Sequence, residues 1–96
     1  MSEAIELKGF NAPRLTGDMI ESVIMSEAYH HFAGTTAIVC CLTLRNGYSV
    51  TGDAACVSPS NFDITIGRQI ARENARDKIW QLEGYLLKQA IFTDKG

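Results

Sequence analysis

Three arginines in one short segment have the residue type and spacing to bind an anion. The segment Gly67 to Trp80 is GRQIARENARDKIW, in which Arg68, Arg72 and Arg76 follow one another at intervals of four residues. On a helix this spacing places the three side chains on one side. A guanidinium group binds phosphate or carboxylate through two parallel hydrogen bonds. The pattern therefore predicts a site for an anionic group, and we call these three residues the arginine ladder.

The arginine ladder also has a structural interpretation. Glu73 lies three residues before Arg76 and can pair with it, whereas no acid lies four residues from Arg68 or Arg72. The ladder is then a solvated helix face, a set of intrahelical pairs, or a polar seam between two apolar faces. The sequence leaves both interpretations open.

Three aromatic residues accompany the ladder as candidate contacts. Trp80 follows Arg76 by four residues, Tyr85 lies further along the same predicted helix, and Tyr48 follows a predicted turn. An aromatic ring stacks on a nucleotide base, but a Trp outside the core is also typical of a subunit interface. Arg76 over the Trp80 ring would instead form a structural cation–π pair. The candidate ligand-binding residues are Arg68, Arg72, Arg76, Trp80, Tyr85 and Tyr48.

The cysteines and histidines do not form a pattern typical of a metal or catalytic site. Cys40 and Cys41 are adjacent, as are His30 and His31, so on strands the members of each pair point to opposite faces. Apolar surroundings raise the pKa of a thiol and reduce its reactivity. The chain also has no glycine-rich phosphate loop and no nucleophile elbow. We predict a protein that is not an enzyme and that uses no metal and no cofactor.

The first part of the chain predicts an arm, a short helix and a strand. Residues 1–13 end at Pro13 and show no clear periodicity, so we predict an N-terminal arm there and a single domain over residues 14–96. Thr16 is the predicted N-cap of a short helix over about 17–24. The segment IMSEAYHHF then alternates and is rich in aromatic residues, which favours a strand.

The segment TTAIVCCLTLRNGYSVTGDAACV predicts a β-hairpin. Asn46-Gly47 between two β-rich runs fits a two-residue type I′ turn, which would place Leu44 opposite Ser49 and Cys41 opposite Gly52. One sheet face would then carry Val39, Cys41, Val50, Ala54 and Cys56, and the other would carry Ile38, Cys40, Leu42 and Leu44 opposite Ser49, Thr51 and Asp53. The first strand is apolar on both faces, so a cover is expected on each.

The rest of the chain predicts one long helix over about 62–91. Ser60 or Asn61 is the predicted N-cap residue. Asn61 and Asp63 form a polar pair that is expected to cap the helix, and Phe62 is expected to pack against its start. The predicted core stripe is Ala71, Ala75, Ile79, Leu82, Tyr85, Leu86 and Ala90, and a second apolar side carries Ile66, Trp80, Leu87 and Ile91. Gly84 inside the helix indicates close helix packing. The predicted fold is α+β: a short N-terminal helix, a three-stranded antiparallel β-meander and a long C-terminal helix packed on the sheet, with self-association through that helix and the uncovered sheet side.

Composition and charge argue against several classes of protein. The chain has 96 residues and a net charge of −2, which argues against a surface devoted to nucleic acid. Its N-terminus has acids where a signal peptide has a basic start, and no apolar run is long enough to span a bilayer. Three cysteines, an odd number, form no disulfide framework. We expect a cytoplasmic protein without a membrane partner.

Several sequence elements taken together resemble a known family. The segments CLTLRNGYSVTGDAACVSPSNFD and GRQIARENARDKIWQLEGYLL are similar to those of small tailed-phage and prophage proteins, a family named after gene product forty-nine of one podophage and gene product sixty-six of another. The similarity covers about residues 14–90. It implies a phage or prophage origin and expression in a bacterial cytoplasm, and it implies no activity.

The function expected from these observations is binding without catalysis. The leading hypothesis is a phage accessory protein that counteracts a host defence system, in one form by sequestering an anionic nucleotide signal. The phosphate would lie on the arginine ladder and the base on Tyr85, Trp80 or Tyr48. The alternatives are an inhibitor or adaptor that binds a host protein, and a protein associated with nucleic acid. In each case a homo-oligomer is expected.

Overall fold

The chain folds as a short helix, a three-stranded sheet and one long helix. The computed structural model describes residues 14–95, so the predicted arm over 1–13 lies outside the described residues, as does Gly96. The elements in chain order are α1 (Gly17–Ser22), β1 (Ile24–His31), β2 (Ala37–Leu44), β3 (Ser49–Ala55) and α2 (Ile64–Lys95). The strands are antiparallel in the order β1-β2-β3. This arrangement confirms the predicted α+β class, the meander and the long C-terminal helix.

Helix α1 begins where the sequence predicts and ends earlier. Thr16 Oγ1 accepts a hydrogen bond from the Met19 N–H at 3.3 Å, which confirms the predicted N-cap. The helix ends at Ser22 rather than near residue 24. The chain enters β1 at Ile24, and the Val23 carbonyl accepts the Arg45 N–H at 3.0 Å instead of a helical N–H. Ile20 is fully buried and anchors α1 in the core.

The β2–β3 hairpin has a three-residue loop, so the predicted type I′ turn is wrong. The Leu44 N–H donates to the Tyr48 carbonyl at 2.7 Å, and the Gly47 N–H donates to the Leu44 carbonyl at 2.9 Å. Gly47 has a φ of 91°, whereas no non-glycine residue of the described part has a positive φ. Because a type I′ turn needs positive φ at both central residues, Asn46 excludes it. Asn46 Oδ1 instead accepts the Tyr48 N–H at 3.0 Å.

The longer loop shifts the strand register by one residue from the predicted one. Cys41 pairs with Thr51 rather than Gly52, and Cys40 pairs with Gly52. A one-residue shift moves every side chain of a strand to the other face. The covered face therefore carries Ile38, Cys40, Leu42 and Leu44 together with Val50, Gly52 and Ala54, and the open face carries Val39, Cys41 and Thr43 together with Ser49, Thr51 and Asp53.

Helix α2 covers one face of the sheet. Ala71, Ala75 and Ile79 of α2 are fully buried against the covered face. The helix backbone comes so close to Gly52 that a Cβ atom there would lie 2.1 Å from the Ala75 nitrogen. Within residues 14–95 no second element covers the open face, where Val39 and Cys41 are half-buried. The expected cover on both faces is therefore not found in the described part of the chain.

Asp63, one of the two residues of the predicted capping pair, caps α2, whereas Ser60 and Asn61 do not. Asp63 Oδ1 accepts the Thr65 N–H at 2.9 Å, and the helix begins at Ile64. Ser60 and Asn61 lie instead in a short 3-10 turn, Pro59–Asn61, that leads the chain from β3 to the helix.

Helix α2 is longer than the sheet beneath it. Its 32 residues span about 48 Å, whereas a strand of eight residues spans only about 26 Å. Ile79 is the last fully buried residue of the helix among those whose burial is described. The predicted core stripe is therefore wrong beyond this point, because Leu82, Tyr85, Leu86 and Ala90 are exposed. We call residues 80–95 the overhang of α2.

Neither helix of the described segment is both long and apolar enough to cross a membrane.

Candidate functional site

The central arginine of the ladder is bound by two of the protein's own acids. Arg72 Nη1 and Nη2 each donate to one carboxylate oxygen of Glu21, both at 3.0 Å. Arg72 Nε donates to Glu27 Oε1 at 2.6 Å. The guanidinium fork thus makes the bidentate contact expected of an anion site, but its partners are carboxylates of α1 and β1.

The other two arginines are also engaged within the chain. Arg76 Nε donates to Glu21 Oε2 at 2.6 Å, and Arg76 Nη2 donates to the Gly17 carbonyl at 3.2 Å. The Arg68 guanidinium carbon lies 5.4 Å from the centroid of the Tyr29 ring, in a cation–π contact. We call the ladder together with Glu21, Glu27 and Tyr29 the arginine clamp. It connects α2 to α1 and to the outer strand β1.

The electrostatics of the arginine clamp favour the ionised groups. Hydrogen bonds from Arg72 lower the pKa of Glu21, against a smaller opposing effect of burial. The hydrogen bonds to Glu21 and Glu27 raise the pKa of Arg72. An incoming phosphate would therefore have to displace two carboxylates that are already well paired. The described structure favours a structural role for the ladder over a ready-made anion site.

Acid should weaken the arginine clamp. Because the folded-state pKa of Glu21 lies below its ordinary value of 4.5, its contribution to the free energy of unfolding is complete above that pH and is lost as the pH falls through the folded-state pKa. Glu21→Gln should be less stable than the wild type at pH 7 and lose less stability between about pH 5 and pH 3. Urea unfolding at a series of pH values measures both. Glu73→Gln, at an exposed position of α2, is the matched control and should keep the wild-type pH dependence. The prediction would be contradicted if Glu21→Gln lost as much free energy of unfolding between about pH 5 and pH 3 as the wild type does.

Sequence reasoning missed the acidic half of the arginine clamp. The partners of Arg72 are separated from it by 45 and 51 residues, whereas helical spacing identifies only neighbours three or four residues away. One signal was available: Glu27 alternates in phase with Tyr29 on β1 and therefore faces the side that α2 covers. A carboxylate on the side of a strand that a helix covers is expected to pair with a cationic side chain of that helix.

Trp80 does not lie on the predicted second apolar face outside the core. It is half-buried and packs against the core cluster. Arg76 beside it is bonded to Glu21 and Gly17. The half-buried ring is thus held by packing in the described structure, and its use as a stacking platform or as an interface contact stays a prediction.

Tyr48 and Tyr85 lie together at a different place. They are 59% and 70% exposed and line a shallow groove of about 250 Å³. The other lining residues are Leu44, Asn46, Leu82, Glu83 and Leu86. The groove forms where the overhang of α2 leaves the β2–β3 hairpin, and we call it the tyrosine groove. The six candidate residues thus divide between two places, with the ladder and Trp80 at one and the two tyrosines at the other.

One thiol and one imidazole occupy structural positions. Cys40 is fully buried, and burial raises the pKa of its thiol, as the sequence predicted. His31 Nε2 lies 2.7 Å from the Thr35 carbonyl oxygen, and its ring stacks on Phe62 at 5.1 Å between centroids. Among the described residues, no three His, Cys, Asp or Glu side chains are grouped so that they could hold a metal ion.

The fold and the two sites define a small α+β protein with a charged clamp between its helices and outer strand and an exposed groove beside the hairpin. Residues 15–91 match the phage protein (N4 Gp49/phage Sf6 gene 66) family, and the chain belongs to this family. The match covers both the arginine ladder and the tyrosine groove. No curated protein and no solved structure matches the chain.

Proposed function

We propose that this phage protein is a non-catalytic accessory protein that counteracts a host defence system by binding one of its protein components. The observation that carries the proposal is the tyrosine groove. Tyr85 and Leu86 are 70% and 59% exposed on helix α2, beside Tyr48 on the hairpin. Tyrosine is enriched in protein interfaces, and large apolar side chains gathered at one exposed place are typical of a contact surface.

The positions of the arginine guanidinium groups and of the Cys40 thiol support binding over catalysis. The guanidinium groups of Arg72 and Arg76 are held by Glu21, and the Cys40 thiol is buried. The ladder identified from the sequence thus contributes to the fold, whereas the tyrosine groove remains accessible. A binding function needs no more than this accessible surface.

The lining of the groove indicates the chemistry of its partner. Leu44, Leu82 and Leu86 provide an apolar floor, and Glu83 contributes a carboxylate at its wall. The chain as a whole carries a net charge of −2. The complementary surface is an apolar side chain flanked by Lys or Arg on a host protein, because opposite charges at the rim assist association.

Placing a charge in the groove should abolish partner binding. Leu86→Asp puts a carboxylate on the apolar floor and should weaken binding at least tenfold, since exposed apolar anchors dominate interfaces. The tagged variant and the wild type are compared by capture from nuclease-treated host lysate, and the protein that only the wild type retains is purified for calorimetry. Gln81→Asp, at an exposed position of the same helix, is the matched control and should bind as the wild type does. Equal capture by Leu86→Asp would remove the groove from the proposal.

Nucleotide sequestration stays a prediction, and its proposed site moves from the arginine ladder to the tyrosine groove. Two exposed tyrosines in one groove supply stacking surfaces, and the helical spacing places Lys78 and Lys88 on the side of α2 that carries Tyr85. Calorimetry against cyclic and linear nucleotides at about 100 μM tests for micromolar binding. Loss of heat in Tyr85→Ala with retention in Arg72→Lys would locate the site in the groove, and the reverse would restore the arginine ladder. Absence of heat with every nucleotide would exclude micromolar nucleotide binding and leave a host protein as the proposed partner.

Association with nucleic acid has less support. The net charge is −2, and the three arginines of the ladder face the chain's own acids or an aromatic ring. Phosphate-driven binding weakens steeply as salt rises. Binding of DNA or RNA that weakened steeply between low and physiological salt would favour this alternative.

A further inference from the structure

The outer strand β1 has one unpaired side among the described residues. β1 pairs with β2 only, from Ser26 opposite Thr43 to His31 opposite Ile38. The Phe32 N–H donates to the Ala37 carbonyl at 3.1 Å, which sets the alternation of hydrogen bonds along the strand. The even-numbered residues of β1 therefore bond to β2. The backbone N–H and C=O groups of the odd-numbered residues Glu27, Tyr29 and His31 point outward from the free edge, in the plane of the sheet.

The opposite edge of the sheet is obstructed. Asn74 Nδ2 donates to the Asp53 carbonyl at 2.8 Å, so a helix side chain occupies a backbone acceptor of β3. The backbone of α2 also lies directly over Gly52. By contrast, β1 contains no Pro and no Lys, the residues that commonly protect an edge strand. The two edges of the sheet thus differ, and β1 is the one open to pairing.

We propose that two copies of this chain pair through β1 in antiparallel orientation, about a two-fold axis at Ala28, and join their sheets into one of six strands. This axis places Ala28 opposite Ala28 of the partner subunit, and Glu27 opposite Tyr29 of the partner subunit. Glu27 and Tyr29 both have outward backbone groups, so they form a hydrogen-bonded pair across the axis. The pairing uses the regular part of β1, because the register shift lies between Ile24 and Ser26.

The side chains beside this axis are complementary in charge. Arg68 lies over the Tyr29 ring, and Glu27 is 44% exposed with its Oε1 bonded to Arg72. Opposite residues of an antiparallel pair have Cβ atoms about 5 Å apart. The axis at Ala28 therefore brings Arg68 of the partner subunit next to Glu27, and symmetry repeats this contact. The arginine clamp also holds β1 in place before association, which lowers the entropy lost on pairing.

A lysine at the axis should separate the subunits. Ala28 is exposed on the open face, so Ala28→Lys leaves the core unchanged but places two like charges directly opposite each other in the dimer. We expect the wild type to sediment as a dimer and the variant to have a dissociation constant raised at least tenfold. Thr51→Lys, exposed on the same face of β3, is the control and should remain dimeric. A wild type that is monomeric at about 100 μM, or an Ala28→Lys variant as dimeric as the control, would overturn the proposal.

Disulfide trapping tests the register itself. The Cys41→Ser background removes the thiol that lies opposite Ala28 within the same chain. In this background Ala28→Cys should form a covalent dimer on oxidation, because directly opposite residues of two paired strands lie within disulfide range. Ser26→Cys in the same background should not, because it faces His30 of the partner subunit. The double variant Ser26→Cys/His30→Cys should link again. Covalent dimers of Ser26→Cys as abundant as those of Ala28→Cys would contradict the axis at Ala28.

Amide exchange distinguishes a second copy from another segment of the same chain. If the partner is a second copy, the amides of Glu27 and Tyr29 should become more protected from hydrogen exchange as the protein concentration rises. Protection of these amides that does not change with concentration would mean that the chain covers its own edge, and the proposal would be wrong.

Discussion

Replacing Gly52 with alanine should destabilise the protein by about 3 kcal/mol. A Cβ atom at this position would lie 2.1 Å from the Ala75 nitrogen and 2.4 Å from the Ala71 oxygen. Both are backbone atoms of α2, so no side chain can rotate away, and the helix must move off the sheet. Because Ala71, Ala75 and Ile79 are buried at this contact, the movement exposes the centre of the core. Urea unfolding followed by circular dichroism measures the loss.

Gly84→Ala is the matched control for the Gly52 prediction. The sequence suggested close packing at this glycine, but outside the adjacent turns of α2 the nearest described atom to its added Cβ is Leu15 Cδ1 at 4.0 Å. Alanine in a helix interior is favoured over glycine by about 1 kcal/mol, so this variant should be at least as stable as the wild type. Equal destabilisation by the two substitutions would show that the contact of α2 with β3 is looser than the geometry states.

Replacing Arg72 with methionine should lower the free energy of unfolding by about 2 kcal/mol. Arg72 makes three hydrogen bonds to charged groups, each worth about 1.5–3 kcal/mol when fully formed, and partial exposure reduces that sum. Glu21 and Glu27 would lose this common partner and repel each other. Arg72→Lys should recover only part of the loss, because an ammonium group cannot make the bidentate contact. Thermal and urea unfolding at neutral pH measure the change.

A double-mutant cycle separates the arginine clamp from the packing of the Arg72 side chain. If the ion pair carries the effect, Arg72→Met combined with Glu21→Gln should cost clearly less than the sum of the two single variants. Within one subunit, Arg68→Met removes the cation–π contact with Tyr29 and should cost about 0.5 kcal/mol. A loss below about 0.5 kcal/mol in Arg72→Met would mean that solvent screens the clamp almost completely.

The local features of this fold were predictable from the sequence because they depend on neighbouring residues. Thr16 caps α1 through a residue three positions away, and the residues around Asn46-Gly47 do form the predicted hairpin. The register was not predictable in the same way. A two-residue loop and a three-residue loop both suit Asn-Gly, and the choice depends on which face of β3 must meet α2. Gly52 decides it, because only a glycine tolerates the helix backbone at that distance.

The candidate site was predictable only in part. Spacing placed Arg68, Arg72 and Arg76 on one side of α2, close to the polar seam that the sequence suggested. Their partners lie on α1 and β1, and no periodicity within α2 identifies residues so distant along the chain. The tyrosine groove likewise depends on where α2 passes the end of the sheet, which is a property of the assembled fold.

The overhang of α2 has a thermodynamic consequence for any partner of the tyrosine groove. Beyond Ile79 the described residues of the helix are half-buried at most, so this segment is held by its own backbone hydrogen bonds and little packing. An isolated helix of about 12–15 residues is only marginally stable in water, so the overhang should fray from its C-terminal end. A ligand on Leu82, Tyr85 and Leu86 would suppress this fraying. Binding of such a ligand should therefore show a negative heat-capacity change and an unfavourable conformational entropy. The affinity should also depend on the helix propensity of overhang residues that the ligand does not contact.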